Sequence, residues 1–182
     1  MSFKKNKYQV LRGAISKELA DFGYRYLQVS AEADNWMLKN YVTHAGNPLV
    51  GNFHDSQVPG SYAKYADRFM EVLLVKTIDV MQKKTGLKLV PTYSYTRLYR
   101  TGNILNRHKD RPSCEISTTL CLGGDNWPIY LDPTGENTVV DEYKGIIKPG
   151  APVGVEVNLK PGDMLIYSGC DLEHWRKPFE GK

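Results

Sequence analysis

His108 and Asp110 stand one residue apart in the run Arg107-His108-Lys109-Asp110, an imidazole and a carboxylate that a strand would project to one face while Lys109 points away. Such a pair can share one metal ion. A second imidazole would complete two nitrogens and one oxygen on one face of an octahedron. The other positions would stay open for a chelating cosubstrate and oxygen, the arrangement of non-haem iron(II) oxygenases. Of the four histidines, His174 is the candidate. It follows Leu159-Lys160-Pro161-Gly162-Asp163-Met164-Leu165-Ile166-Tyr167, which reads as strand, turn, strand and would carry it back across a barrel toward the first pair. His44 and His54 fall in an earlier, loop-rich region. An isolated histidine is more often a surface or hydrogen-bonded structural residue than a ligand. The weight therefore rests on the conjunction of His-x-Asp at a strand start, a late histidine after a strand pair, and no rival ligand cluster. Zinc is the competing ion, but structural zinc sites close with four ligands rich in Cys, and Cys114, Cys121 and Cys170 lack that spacing.

Two kinds of element must hold these residues. The first half reads as helical: Ser16 can cap a helix that places Leu19, Phe22 and Tyr26 on one face. Ser61 can cap a second, with Tyr62, Tyr65, Phe69, Val72, Leu73, Val80 and Met81 as its apolar stripe and Gly86 at a left-handed C-cap. Gly46 to Ser61, dense in Gly, Pro, Asn and Asp, is a loop. From Pro91 the texture changes to short runs rich in Tyr, Thr, Val and Ile. Strands are expected at Thr92–Arg100, Arg107–Asp110, Glu115–Leu122, Pro128–Leu131, Gly154–Leu159 and Met164–Ser168. Turns fall at Arg100–Asn103, Gly123–Asn126 and Lys160–Asp163. This pattern predicts a sandwich or barrel with the helices packed outside it.

Composition narrows the function classes. With 182 residues, 41% hydrophobic and 24% charged, the chain is long enough for one buried core and short for two, so one domain is expected. Apart from Lys4, Lys5 and Lys7, the net charge of +4 is dispersed, which argues against nucleic-acid or membrane partners. An odd number of cysteines without a CxxC pair fits a reducing compartment. No apolar stretch follows the basic N-terminus and no window approaches a membrane span, so a soluble cytoplasmic protein is expected.

From Tyr93 to Arg176 the chain resembles the iron(II)- and 2-oxoglutarate-dependent oxygenase superfamily, in its prolyl 4-hydroxylase-like branch. Tyr93-Ser94-Tyr95-Thr96-Arg97-Leu98-Tyr99, then Gly102, Leu105 and His108-Lys109-Asp110, are similar to the family's aromatic strand, glycine turn and metal motif. Leu159 to Tyr167, followed by Glu173-His174-Trp175-Arg176, is similar to the approach to its distal histidine. The resemblance implies a double-stranded β-helix, or jelly roll, over residues 91–182, supported by helices within 1–90. It implies Fe(II), 2-oxoglutarate and O2 as the reacting set, with oxidative decarboxylation to succinate driving hydroxylation of a substrate C–H bond. His108, Asp110 and His174 become the catalytic metal ligands, and Asp110 argues for hydroxylation rather than halogenation.

The distal carboxylate of 2-oxoglutarate needs a cationic partner, best met by a guanidinium. Relatives place this cation on a strand beyond the distal histidine, whereas this sequence ends at Lys182. Arg176 is the first candidate and Lys182 the second, with Tyr99 a hydroxyl donor to the same group. Arg176 in a surface ion pair, Lys182 at a frayed end and Tyr99 in core packing are the bland alternatives. The same comparison predicts a barrel lacking its last strand. Arg111 and Glu115, just past the metal motif, and Trp127 are substrate-contact candidates, against mutual pairing of the first two and core packing of the third. The expected substrate is a peptidyl proline or another amino-acid side chain. A non-catalytic metal-binding cupin-like module and a nucleobase or small-metabolite oxygenase are the rival readings.

Overall fold

Met164 to Ser168 is buried at every position, so both faces of this strand must be covered. The computed structural model, which describes residues 3–181, shows by what. In chain order its elements are α1 (Phe3–Asn6), β1 (Tyr8–Leu11), α2 (Lys17–Lys39), β2 (Tyr62–Tyr65), α3 (Arg68–Thr85), β3 (Tyr95–Leu98) and β4 (Leu105–His108). A 3-10 turn at Pro112–Cys114 precedes β5 (Ile116–Leu120), β6 (Ile129–Leu131), β7 (Val139–Asp141), β8 (Ile146–Ile147), β9 (Val155–Val157), β10 (Met164–Ser168) and β11 (His174–Arg176).

Two antiparallel sheets, β1-β10-β5 and β4-β11-β6-β9, enclose the main core. Tyr8, Leu165 and Tyr167 from the first meet Ile129, Leu131 and Val157 from the second. Met164 and Ile166, on the opposite face of β10, pack against Phe3 and Met81 of the helical layer. The alternation along one strand thus joins barrel and helices. The architecture is a cupin-like jelly roll, mostly β, with α2 and α3 outside it. Two smaller ladders, β2 with β3 and β7 with β8, complete the strand pairing.

The Ser16 cap forms as expected, its side chain accepting from Leu19 N at 3.2 Å. Gly86 ends α3 at φ 75°, in the left-handed region. Phe22, however, is 62% exposed, although the helical pattern places it with Leu19 and Tyr26 on the inner face. Ser61 caps no helix. Tyr62 to Tyr65 form β2 against β3, and α3 begins only at Arg68, where Asp67 accepts from Phe69 N at 3.0 Å and Met70 N at 3.4 Å. Tyr62, Tyr65 and Phe69 merely happen to fall at helical spacing, and Val72 of the expected stripe is 65% exposed.

The metal-motif strand also shifts. It runs from Leu105 and ends at His108, so Asp110 lies just beyond it rather than within it. β1, β7, β8 and β11 carry too few residues to give a periodic signal of their own. After β11, Phe179 N donates to Asn103 O at 2.9 Å and Gly102 N donates to Phe179 O at 2.8 Å, and no further strand follows among the described residues. None of the described helices is long and apolar enough to cross a membrane.

Candidate metal centre

β4 and β11 pair so that His174 stands directly opposite His108. Their rings lie 4.2 Å apart between centroids. The Nδ1 of His108 is 2.8 Å from Asn106 O and that of His174 is 3.1 Å from Leu172 O, each a carbonyl two residues back along its own chain. A carbonyl only accepts, so each Nδ1 carries the proton and each Nε2 offers its lone pair. Both Nε2 atoms face Asp110 Oδ1, at 3.8 Å from His108 and 3.5 Å from His174. One donor atom from each residue falls within 4.8 Å of the others. His44 and His54 are exposed and stand apart from this cluster.

Asp110 is aimed by a small cradle. Its N–H donates to Gly169 O at 2.9 Å, and Ser117 Oγ donates to Oδ2 at 2.6 Å, leaving Oδ1 turned to the imidazoles. Burial works against its ionisation, but the bonds and charges of His174, Ser117 and His108 outweigh it and hold the carboxyl below its ordinary range. Burial, reinforced by His174, pushes His108 down to about 4, so its imidazole is neutral and ready to ligate near neutral pH. Two imidazole nitrogens and one carboxylate oxygen, with a cleft before them, fit an iron(II) ion with open positions.

Gly169 is required by contact rather than by dihedral. A Cβ there would run into Asp110 Oδ2 and lie 2.5 Å from Ser117 Oγ and 2.6 Å from the Cys114 carbonyl. Gly169→Ala is therefore expected to displace the Asp110 carboxylate and weaken iron(II) binding by about 10–100-fold, as loss of an outer-shell support does. An iron titration of a variant whose circular dichroism matches the parent checks this; unchanged affinity would show that the cradle is not needed.

A cleft of about 1310 Å³ opens before the triad, lined also by Tyr99, Trp127, Tyr167 and Arg176. Arg176 follows His174 by two residues on β11, and both line the cleft, whereas Trp175 turns outward onto Tyr130 and Arg107. The half-buried Arg176 guanidinium donates to Trp127 O, lies 4.8 Å over the Trp127 ring and 6.0 Å from the Tyr99 ring. Burial pulls it below its ordinary value, and no carboxylate among the described residues pairs with it. Trp127 is thus placed beside Arg176, with Tyr99 at 4.6 Å, Phe179 at 5.1 Å and its own Nε1 donating to Lys177 O. Arg111 and Glu115 are exposed at the mouth and do not pair with each other. Arg111 Nε donates to Tyr93 OH at 3.1 Å instead. Lys182 lies outside the described residues.

Behind the histidines is a network that no sequence pattern announces. Arg107 Nε donates to Glu173 Oε2 at 2.7 Å, its other nitrogens reach Asp132 and the Pro152 carbonyl, and Glu173 also accepts from Thr138 and Val139. Each of Arg107 and Glu173 directly precedes a histidine of the triad.

No protein-family model matches the chain, and no curated protein matches it by sequence. Among solved structures, a Pseudomonas putida prolyl-4-hydroxylase superposes with a TM-score of 0.56 at 15% identity, covering 99% of this chain and 89% of that one. At that identity the likeness establishes the shared jelly-roll fold.

Proposed function

We propose that this protein is an iron(II)- and 2-oxoglutarate-dependent dioxygenase that hydroxylates a C–H bond, with a peptidyl proline or another amino-acid side chain as the substrate class. The observation that carries the reading is the convergence of His108 Nε2, His174 Nε2 and Asp110 Oδ1 at the floor of a large cleft, with both Nδ1 protons committed to backbone carbonyls. Iron(II) held there would supply the redox chemistry that couples 2-oxoglutarate decarboxylation to oxygen insertion. The chain's own part is to hold and orient. His108 and His174 present their Nε2 atoms, Ser117 keeps Asp110 turned by one oxygen, and Tyr167, buried with its ring 4.7 Å from His174, packs beside it.

Arg176 supports the cosubstrate assignment. A half-buried guanidinium without a carboxylate neighbour is a ready partner for an anion, and it shares the cleft with the triad. A purely metal-binding barrel would have no use for that charge. Arg176→Gln is expected to raise the 2-oxoglutarate concentration at half-saturation by about 10–100-fold, the loss of a charge-assisted hydrogen bond. Unaltered 2-oxoglutarate dependence would remove Arg176 from the site.

Anaerobic iron(II) titration with and without 2-oxoglutarate tests the whole reading. A charge-transfer absorption that appears only with both is expected. Iron bound without any such band would favour the non-catalytic metal-binding barrel.

A further inference from the structure

The rim of the cleft holds two cysteines that the metal chemistry does not use. β5 and β10 run antiparallel with Ser168 opposite Ile116, and the bond from Gly169 N to Glu115 O, at 3.0 Å, carries that register one residue past the ladder. There the strand pairing ends: Glu115 takes helical dihedrals, Cys114 closes the 3-10 turn Pro112–Cys114, and Cys170 stands in the turn after β10, so the two cysteines flank the last bond of the ladder.

Side-chain contacts place the two residues together independently of the register. The carbonyl of Arg111 accepts from Cys114 N at 2.8 Å and from Cys170 Sγ at 3.3 Å, so one oxygen holds both residues to a single point. The Cys114 carbonyl sits 2.6 Å from where a Gly169 Cβ would be, so the two backbones are in close contact beside these sulfurs. Both thiols are free and half-buried, and the Cys114 sulfur lies 2.8 Å from Tyr93 OH at the cleft mouth. Cys121 follows the far end of β5, packs against the main core, and its N–H bonds to Asp163 O.

We propose that Cys114 and Cys170 are a redox pair that forms a reversible disulfide across the Asp110 cradle. The oxidant is a low-molecular-weight disulfide such as oxidised glutathione. The Cys114 thiolate, its proton released to solvent, attacks one sulfur of that disulfide and expels the other as a thiol, leaving a mixed disulfide. Cys170, losing its own proton, then attacks the Cys114 sulfur and expels the second thiol. Two protein thiols are oxidised and one small disulfide is reduced to two thiols. The bridge closes the chain between residues 114 and 170 and braces the backbone that holds Asp110 and Gly169.

The test is made on the full chain without metal or cosubstrate, so it stands apart from the oxygenase reading. The protein is incubated with oxidised glutathione, alkylated, digested without reduction and mapped by mass spectrometry. A peptide pair linking Cys114 to Cys170 is expected in the parent and in Cys121→Ser, reversed by dithiothreitol and absent from Cys114→Ser and Cys170→Ser. The linked protein should melt about 5 °C or more above the reduced one, because the closed loop restricts the unfolded chain. Separate glutathione adducts on Cys114 and Cys170 without a link, a link involving Cys121, or no rise in melting temperature would overturn the proposal.

Discussion

Replacing His174 with Ala is expected, on the proposed function, to abolish the absorption band that depends on iron(II) and 2-oxoglutarate and to lower iron affinity by more than about 100-fold, beyond what loss of an outer-shell partner costs. The expectation rests on how little redundancy the site has. Among the described residues, His108, Asp110 and His174 are the only group of metal-capable donors close enough to share an ion. Removing one leaves an imidazole and a carboxylate, a weak pair in competition with water. His108→Ala should behave alike, because the two rings face the same carboxylate oxygen from opposed positions on paired strands. Circular dichroism should report a retained fold in both variants, since the barrel core is built from Leu165, Leu131, Ile129 and their neighbours rather than from the rings. Undiminished iron binding in either variant would remove that histidine from the centre.

The triad was legible because its strongest signal is local. His108 and Asp110 are near neighbours in the chain, and the hairpin that delivers His174 is marked by Pro161, Gly162 and a continuous apolar run. Even there the geometry differs from a strand projecting both groups to one face: β4 stops at His108, and Asp110 is turned inward by Gly169, distant in sequence, and by Ser117 on the next strand. The same limit explains the misplaced helix start. Tyr62, Tyr65 and Phe69 satisfy a helical period, but β2 exists because Tyr62 to Tyr65 find Tyr95 to Leu98 across the fold, an interaction no local pattern contains. Asp67 carried the true capping signal, a short carboxylate that accepts from Phe69 N and Met70 N. β1 was invisible for a related reason, since Tyr8 to Leu11 become a strand by completing the edge of β10. Gly169 offered only a faint sign, a glycine directly after an apolar strand, and Ser117 offered none.

The Arg107–Glu173 pair is where the largest stability effect is expected. Both side chains are almost fully buried, and Glu173 accepts from Arg107 Nε, from Thr138 N at 2.6 Å, from Thr138 Oγ1 at 2.5 Å and from Val139 N at 3.1 Å. Burial opposes its ionisation, yet the Thr138, Arg107 and Val139 bonds together hold its carboxyl below the ordinary range. Glu173→Ala removes all of these at once. It strands two N–H donors, a hydroxyl and part of a guanidinium in the interior, and removal of one partner from a buried ion pair costs about 3–5 kcal/mol. At this chain length that lowers Tm by roughly 10 °C. Glu173→Gln should cost less, because the amide oxygen still accepts and Asp132 still pairs with Arg107. Denaturant unfolding with a chelator present, so that metal binding does not contribute, measures both variants. A loss below about 1 kcal/mol for the alanine variant would mean that the pair's desolvation cost cancels its attraction even when one partner is missing, contrary to the usual behaviour of buried pairs. The position of the pair gives the result a functional edge. Arg107 and Glu173 tie β4 to β11 one residue before each histidine, so whatever slackens this bond also slackens the register that sets His108 against His174.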